Sequence, residues 1–283
     1  MPVIGKILAP VDFSEPSRFA AVYAAALARD ARAELILLHA LPSLDSEFSF
    51  LPHAEGRLKE LSSQRAANVR RKTERFLVGD LEGLTVRRVV AEGDPAEQIV
   101  QYAYAQKVSL IVIPTRGYGP VRRFLLGSVA SKVLHDADCP VLTGVHMGDP
   151  KALASAVPVK HILCAVDLGP QTEHVLEWAS GMATTFSARI TVVHAVPPLE
   201  PQWREPLMAT AMQDLTGHVE RFAAGADLLV DAGDPQKVVA AAAARLEANL
   251  VAIGRGVDNG IIGRLRAHAY AIIRDSPCPV VSV

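Results

Sequence analysis

The stretch that decides the fold is Lys6-Ile7-Leu8-Ala9-Pro10-Val11-Asp12, because it occurs twice. It returns 155 positions further on as His161-Ile162-Leu163-Cys164-Ala165-Val166-Asp167. Three more pairs follow in the same order: His39-Ala40 with His194-Ala195, Gly93-Asp94-Pro95 with Gly233-Asp234-Pro235, and Cys139-Pro140-Val141 with Cys278-Pro279-Val280. Ordered landmarks at a shared spacing indicate a repeated structural unit. The sequence therefore predicts two tandem copies of one domain.

The copies divide the chain at a short linker. We expect one domain over residues 1–147, a linker over 148–158 and a second domain over 159–283. A chain of 283 residues is of comfortable length for two such domains. The later landmarks lie only about 140 positions apart, so the second copy is shorter between its second and third strands.

Each copy alternates short apolar runs with helical patterns, which is typical of an α/β fold. The runs are rich in Val, Ile and Leu without polar alternation, so they predict strands buried on both faces of a parallel sheet. In the first copy we expect strands at 4–10, 34–41, 84–91, 109–113 and 140–145, and helices at 15–31, 54–79, 95–107 and 126–136. In the second copy we expect strands at 160–167, 189–196, 227–232, 249–253 and 279–283, and helices at 172–187, 207–224, 235–248 and 265–275. The prediction is two open, doubly wound five-stranded sheets with helices on both sides.

Composition excludes several classes of function. A net charge of −1 and a pI of about 6.8 give no basic surface for nucleic acid or an anionic membrane. No apolar run reaches the roughly 18 residues of a membrane span. Three cysteines without a Cys-x-x-Cys pair predict a reducing compartment, and we expect a cytoplasmic protein. No group of residues has the spacing of a zinc site, so no metal ligands are predicted.

A ligand is expected where the strands end. In doubly wound sheets, ligands bind beyond the carboxyl ends of the strands. The loop after the fourth strand, residues 114–130, leads into a helix through Gly127-Ser128, with Arg116 and Gly117 earlier in the loop. Glycines permit close approach of the backbone, and free N–H groups at a helix start attract anions. The loop therefore predicts a phosphate site without the lysine of a P-loop.

These features together resemble the universal stress protein family in its tandem form. The resemblance rests on the Asp after the first strand, the His-Ala pair, the Gly-Asp-Pro turn, the Gly-x9-Gly-Ser loop and the closing Cys-Pro-Val, and it covers nearly the whole chain. It implies strand order 3-2-1-4-5 and, as in many members, binding of ATP, or of AMP or ADP, with Mg²⁺ at the phosphates. The implied site comprises Pro10, Val11, Asp12, Ala40, Pro114, Arg116, Gly117, Gly127, Ser128 and Val129. Asp12 would lie at the ribose, and Val11 and Ala40 beside the adenine. The phosphates would be held by Gly117, Gly127, Ser128 and Val129.

Two departures from the family pattern qualify this implication. Pro114 replaces the first glycine of the loop and removes one N–H, worth about 0.5–1.5 kcal/mol as a hydrogen bond. In the second copy the Gly-Ser pair becomes Arg266-Ala267. We expect the second pocket to be plugged, by Arg266 or by His268 turned toward Asp167.

Several of these residues also have a purely structural interpretation. Asp12 is also suited to capping the first helix or to satisfying a loop, and Gly127-Ser128 to forming a structural N-cap. Arg116 is suited equally to a phosphate contact and to a solvated charge on the loop. His39 and His194 favour a shared structural hydrogen bond. Cys139 and Cys278 favour buried thiols over redox sensors.

Three functions remain open at this point. The first is a nucleotide-gated sensor that acts on a protein partner, which the sequence does not identify. In this sensor the two copies are expected to pair through their last strands as an internal pseudo-dimer, and two chains are expected to form a homodimer. The second is an interaction scaffold with vestigial pockets, and the third is a slow ATP hydrolase. No general base or nucleophile is evident for the third.

Overall fold

The chain folds around one ten-stranded sheet. The computed structural model describes residues 4–42, 55–115, 126–144, 157–198, 200–255 and 267–283, and for 55–59 and 267 the backbone alone. The strands are β1 Lys6–Pro10, β2 Glu34–Leu41, β3 Val86–Glu92, β4 Leu110–Val112, β5 Val141–Thr143, β6 His161–Val166, β7 Arg189–Val196, β8 Asp227–Ala232, β9 Leu250–Ile253 and β10 Val280–Ser282. The helices are α1 Glu15–Ala31, α2 Glu55–Arg75, α3 Pro95–Gln106, α4 Ser128–Asp136, α5 Thr172–Phe186, α6 Pro201–Phe222, α7 Pro235–Arg245 and α8 Ala267–Asp275.

The order of the strands confirms the repeat. It runs β3-β2-β1-β4-β5-β10-β9-β6-β7-β8, so each half has the predicted order 3-2-1-4-5. All pairs within a half are parallel, with Lys6 opposite Glu34 in the first half and His161 opposite Arg189 in the second. The predicted fold class, two doubly wound α/β units, is confirmed.

The two halves join through their last strands, as expected for the internal pseudo-dimer. β5 and β10 are antiparallel, with Val141 opposite Ser282 and Thr143 opposite Val280. Gly144 lets the two strands approach closely, because a Cβ there would lie 3.3 Å from the Cα of Pro279. Pairing satisfies the backbone groups of both edges, which would otherwise be open to another chain.

Helices cover both faces of the sheet, and each face has its own apolar core. Alternate residues of a strand point to opposite faces, so Ile7 and Ala9 enter one core and Leu8 the other. The first core contains side chains of α1, α5 and α6, and the second those of α3, α4, α7 and α8. Both cores extend through the two halves, which therefore share one three-layer interior.

Helix ends follow the local sequence. Ser14 and Asp94 cap α1 and α3, accepting hydrogen bonds from the N–H groups of Ser17 and Glu97, as the Ser-Glu-Pro and Asp-Pro patterns predict. Asp234 caps α7 in the same way. Lys107 and Glu247, which are equivalent in the repeat, both follow these helices with φ of 51° and turn the chain into the next strand.

Two predicted helix boundaries are wrong. α6 begins at Pro201 and not at 207, because Pro206 lies within the helix and removes one N–H without ending it. α2 ends at Arg75 and not at 79, since the chain turns at Leu77, which has φ of 56°. The other predicted helix starts and ends differ by at most three residues where the structure describes them.

A half-buried arginine, Arg255, makes hydrogen bonds across the junction between the halves. The guanidinium of Arg255, which follows β9, donates hydrogen bonds to the carbonyl oxygens of Ala137 and Cys139 in the first half. It also donates to the carbonyl oxygen of Ser282 at 3.2 Å. A second contact joins the hydroxyl groups of Ser131 and Tyr270 at 3.0 Å. Hydrogen bonds therefore connect the two halves on the face of the sheet that is covered by α4 and α8.

The proposed linker, residues 148–158, lies mainly outside the described residues. None of the described helices is both long enough and apolar enough to cross a membrane.

Candidate functional site

The predicted site residues of β1 and β2 meet at the carboxyl edge of the sheet. Pro10 ends β1 and lies opposite Leu38 of β2. The backbone N–H of Val11 donates to the carbonyl oxygen of Leu38 at 2.8 Å, which keeps Val11 in line with the sheet beyond the strand. Ala40 is half-buried near the end of β2. Strand pairing therefore places these residues side by side, as predicted.

Asp12 is held in a compact hydrogen-bonded turn. Its Oδ1 accepts from the backbone N–H of Ser14 at 2.9 Å and from the hydroxyl of Ser14. The backbone N–H of Asp12 donates to Oγ of Ser17 at 3.3 Å. The carboxylate is half-buried and shares the turn that caps α1. The N-cap of α1 is thus Ser14, and the carboxylate of Asp12 accepts hydrogen bonds within the turn that holds this cap.

An aromatic cluster lies beside Asp12. Phe13 has φ of 65°, a conformation uncommon for residues other than glycine. Its ring stacks on His39 with centroids 4.6 Å apart, and Phe76 meets it edge-on at 5.4 Å. Nζ of Lys72 lies 4.1 Å from the centre of the Phe13 ring. The end of α2 is therefore in contact with the residue that follows Asp12.

His39 makes the structural hydrogen bond that the repeat predicts. Its Nδ1 lies 2.7 Å from the carbonyl oxygen of Val11, and because that oxygen only accepts, Nδ1 donates. His194 makes the same bond to Val166 at 2.9 Å. Burial is the largest influence on His39 and lowers its pKa, while the bond to Val11 acts in the opposite direction.

The first turn of α4 has no side-chain cap. Gly127 occupies the N-cap position with φ of −65°, and its own N–H donates to the carbonyl oxygen of Thr115 at 2.7 Å. Ser128, the first helical residue, is exposed, and Val129 is half-buried. An uncapped helix start leaves backbone N–H groups available to an anion. Gly127 is thus the N-cap of α4, as the structural interpretation of Gly127-Ser128 predicts, and Ser128 is the first residue inside the helix.

The described residues hold eight of the ten predicted positions. Pro114 is buried directly after β4, which neighbours β1 in the sheet. Arg116 and Gly117 lie outside the described residues, so their roles remain predictions.

The second half repeats this geometry with changed side chains. Leu168 takes the place of Phe13 and has the same left-handed conformation, with φ of 57°. Gly169 takes the place of Ser14, and its N–H donates to Oδ1 of Asp167 at 2.9 Å. Because Gly169 has no hydroxyl, it cannot give Asp167 the second bond that Ser14 gives Asp12. Asp167 is exposed, whereas Asp12 is half-buried.

A cavity of about 320 Å³ lies at the strand ends of the second half. Its lining includes the repeat equivalents of five predicted site residues: Val166, Asp167, Ala195, Gly254 and His268, which correspond to Val11, Asp12, Ala40, Pro114 and Val129. The remaining walls are largely apolar, with Val175, Val239 and Ile272 among them. The volume is at the lower end of the range for small-molecule sites.

One of the two predicted plugs of the second pocket, His268, lies on the lining of this cavity. His268 is exposed and lines the open space together with Asp167. Arg266, the other predicted plug, lies outside the described residues.

Sequence reasoning missed Thr172, the first residue of α5. Its side chain is 1% exposed and lines the cavity, and its hydroxyl has no hydrogen-bond partner in the described part of the chain. The equivalent Ser17 donates to the carbonyl oxygen of Ser14 at 3.0 Å. The 155-residue shift pairs the two positions, but only packing reveals that one hydroxyl is bonded and the other is not.

The three cysteines are reduced and weakly acidic. Burial raises the pKa of Cys139 and Cys278 to about 11 and that of Cys164 to about 12. Cys278 is buried as expected, whereas Cys139 is only half-buried. Within the described ranges, no three His, Cys, Asp or Glu side chains gather as a metal site.

Comparison with known proteins agrees with this architecture. The model of the universal stress protein family matches residues 4–143 and again 158–283. A universal stress protein of Mycolicibacterium smegmatis is 27% identical over 227 residues, 76% of this chain and 75% of that protein. Another, from Methanocaldococcus jannaschii, is 35% identical over 144 residues, 48% of this chain and 79% of that protein.

A solved structure shares the two-half arrangement along its full length. The universal stress protein of Archaeoglobus fulgidus superposes with a TM-score of 0.69 over 98% of this chain and 97% of its own, at 21% identity. The two matches to the family model cover most of the chain and coincide with the two halves of the sheet. The chain therefore belongs to the universal stress protein family, with two family domains in tandem.

Proposed function

We propose that the first half binds an adenine nucleotide, with ATP as the leading candidate, and that the protein acts as a nucleotide-gated regulator in the cytoplasmic stress response. The observation that carries the proposal is the uncapped start of α4 at Gly127-Ser128. β4, which leads into this helix, is the neighbour of β1, which ends beside Asp12. The start of α4, which is suited to binding an anion, and the carboxylate of Asp12 thus lie at the same edge of the sheet.

The repeat supports the nucleoside part of this site. The equivalents of Val11, Asp12, Ala40, Pro114 and Val129 surround a single cavity in the second half. The strand order, which is the same in both halves, supports an equivalent arrangement of the first-half residues. The proposed roles follow: Asp12 accepts hydrogen bonds from the ribose, Val11 and Ala40 contact the base, and Gly127, Ser128 and Val129 hold the phosphates with Mg²⁺.

Gating would act through α2. Lys72 of this helix and Phe76 just beyond it contact Phe13, which adjoins Asp12. A ligand held by Asp12 therefore changes the surroundings of the α2 contact, and a protein partner reads the result.

The test is the nucleotide content of the purified full chain, measured by mass spectrometry, followed by ATP titration in a calorimeter. Gly127→Arg introduces the residue that the second half has at this position, and φ of −65° accommodates any side chain. We expect one nucleotide per chain in the wild type and at least about tenfold weaker binding in the variant, because the side chain fills the phosphate position.

Gln101→Arg is the matched control, since it adds the same charge at an exposed position of α3. It should bind ATP as the wild type does. No bound nucleotide and no heat at millimolar ATP would favour the interaction scaffold, which the buried Pro114 supports. Release of phosphate from bound ATP would identify the slow hydrolase.

A further inference from the structure

We propose that two copies of this chain associate face to face, with α2 of each copy against α6 of the other. This association does not depend on nucleotide binding, because it uses the outer surface of the helices and not the strand ends. Two observations support it: a separation of charge along one face of the molecule, and exposed apolar side chains at both ends of that face.

The two longest helices lie at opposite ends of one face of the sheet. α2 packs against β2 and β3 at one end of the strand order, and α6 packs against β7 and β8 at the other. Phe76 and Leu77, directly after α2, pack in the same apolar core as Leu215 and Val219 of α6. Between them, α1 of the first half contacts α5 of the second. This face is therefore covered, in order, by α2, α1, α5 and α6.

The two ends of this face carry opposite charge. From Glu60 to Arg75, α2 has five basic and two acidic side chains. α5 and α6 together have the reverse, two basic and five acidic side chains. The basic ones are Arg204 and Arg221, and the acidic ones are Glu173, Glu177, Glu205, Asp214 and Glu220. α1 has two of each sign, and the net charge of the whole chain is −1, so the charges are separated along the face without an excess of either sign.

A face with this distribution of charge is complementary to itself. In a two-fold symmetric dimer both copies use the same surface patch, and every contact occurs twice. A two-fold axis that lies between the two faces and runs along β5 and β10 exchanges the ends of the face. It brings the basic α2 of each copy opposite the acidic α6 of the other. An axis across the strands would instead place α2 against α2, where like charges repel.

Exposed apolar side chains accompany these charges at both ends. On α6, Trp203 is 57% exposed, Leu207 42% and Met212 36%, and on α2 Leu61 is 52% exposed. Trp203 and Leu207 are four residues apart in the helix and are therefore neighbours on its surface. In the described part of the chain, the helices of the opposite face expose only one large apolar side chain, that of Tyr104. Aromatic residues and methionine are enriched in protein interfaces, so this distribution favours the face of α2 and α6 as the contact surface.

The first test is the mass of the full chain in solution, measured by sedimentation velocity over a range of concentrations. We expect a dimer of twice the chain mass of 30.3 kDa. Its dissociation constant should rise at least about tenfold between about 50 mM and about 1 M NaCl, because salt screens exposed charges. A chain that stays monomeric up to about millimolar concentration would leave this face to a different protein and overturn the inference.

Charge reversal identifies the surfaces that meet. Arg71→Glu with Arg75→Glu reverses the net charge of the described part of α2, and Asp214→Arg with Glu220→Arg reverses that of α5 and α6; all four positions are exposed. Each double variant alone should be monomeric where the wild type is dimeric, because like charges then meet at both contacts. An equimolar mixture of the two variants should recover the dimer, since opposite charges then meet at both contacts. Recovery requires folded chains, so the mixture separates a loss of pairing from a loss of fold.

Lys237→Glu with Arg245→Glu is the matched control. It makes the same change of charge as the α2 variant, at exposed positions of α7 on the opposite face. This control should dimerise as the wild type does. Trp203→Ala should raise the dissociation constant of the dimer at least about tenfold, because large aromatic side chains often dominate the binding energy of an interface.

Three further results would overturn the inference: double variants of α2 and α6 that dimerise as the wild type does, a mixture of them that stays monomeric, or a control on α7 that loses the dimer equally. ATP binding to the wild type and to Gly127→Arg remains the separate test of the proposed function.

Discussion

The guanidinium of Arg255 donates a hydrogen bond to the carbonyl oxygen of Cys139, 116 positions away and in the other half of the sheet. The equivalent residue of the first half is Thr115, so this bond has no counterpart in the repeat. Burial lowers the pKa of Arg255, because desolvation disfavours the charged guanidinium. Among the described residues, the second half therefore contributes to the junction a guanidinium that the first half does not match.

Arg255→Thr tests how much the hydrogen bonds of Arg255 stabilise the junction, because it introduces the residue that the first half has at the equivalent position, Thr115. We expect the free energy of unfolding to fall by about 2–4 kcal/mol, because buried carbonyl oxygens of Ala137, Cys139 and Ser282 lose their donor. Urea unfolding measures the loss. Arg18→Ala is the control, since Arg18 forms an exposed ion pair with Asp80 and should matter by less than about 1 kcal/mol. Equal losses in both variants would show that Arg255 does not fasten the junction.

His161 predicts a pH dependence of stability. It is 2% exposed, its Nδ1 donates to the carbonyl oxygen of Leu246 at 2.9 Å, and its Nε2 lies 2.8 Å from the hydroxyl of Thr191. Burial favours the neutral ring and lowers its pKa. The unfolded chain therefore takes up a proton near pH 6.5 that the folded chain does not, and the free energy of unfolding should fall as the pH drops from 7 toward 5.

The measurement is denaturant unfolding at a series of pH values in the wild type and in His161→Gln. The variant should show a shallower decline over this window, whatever its stability at pH 7. NMR titration of the His161 ring should give a pKa below 6.5. Parallel stability curves for the two proteins would rule out this contribution.

The thiols should be unreactive in the folded protein. With pKa values near 11, Cys139 and Cys278 are thiolates to only about one part in a thousand at pH 8. We expect Cys139 to react first with iodoacetamide, because it is half-buried, and Cys164 last, because it is fully buried. Peptide mapping by mass spectrometry gives the order, and urea should abolish the differences. Native labelling of Cys164 as fast as of Cys139 would contradict the packing.

The fold was predictable because its signals are local and occur twice. Runs such as Leu35–Leu38 are buried on both faces and therefore carry no polar alternation, which identifies parallel strands. Ser14 and Asp94 cap helices through bonds to residues three positions away, so their patterns are legible in the sequence. The start of α6 was not predictable, since nothing nearby shows that Pro206 is tolerated inside a helix.

The site was predictable only in part, because much of it depends on distant contacts. The positions of Val11, Asp12 and Ala40 follow from strand order alone. The three carbonyl partners of Arg255 become neighbours only when the sheet is assembled. The Thr172 hydroxyl, which has no hydrogen-bond partner among the described residues, and the cavity lined by His268 likewise depend on helix packing. No local sequence pattern predicts that packing.

The antiparallel pair of β5 and β10 has a consequence for synthesis of the chain. β5 ends at Thr143, and its partner begins at Val280, so the ribosome adds over a hundred residues before the partner is made. At usual rates of translation this takes on the order of ten seconds. During that interval the edge of β5 in the nascent first half, formed by Val141, Leu142 and Thr143, has no partner strand. During this time β5 of a nascent chain can pair with β5 of another chain that is being translated from the same mRNA. The synthesis of β10 then covers this edge.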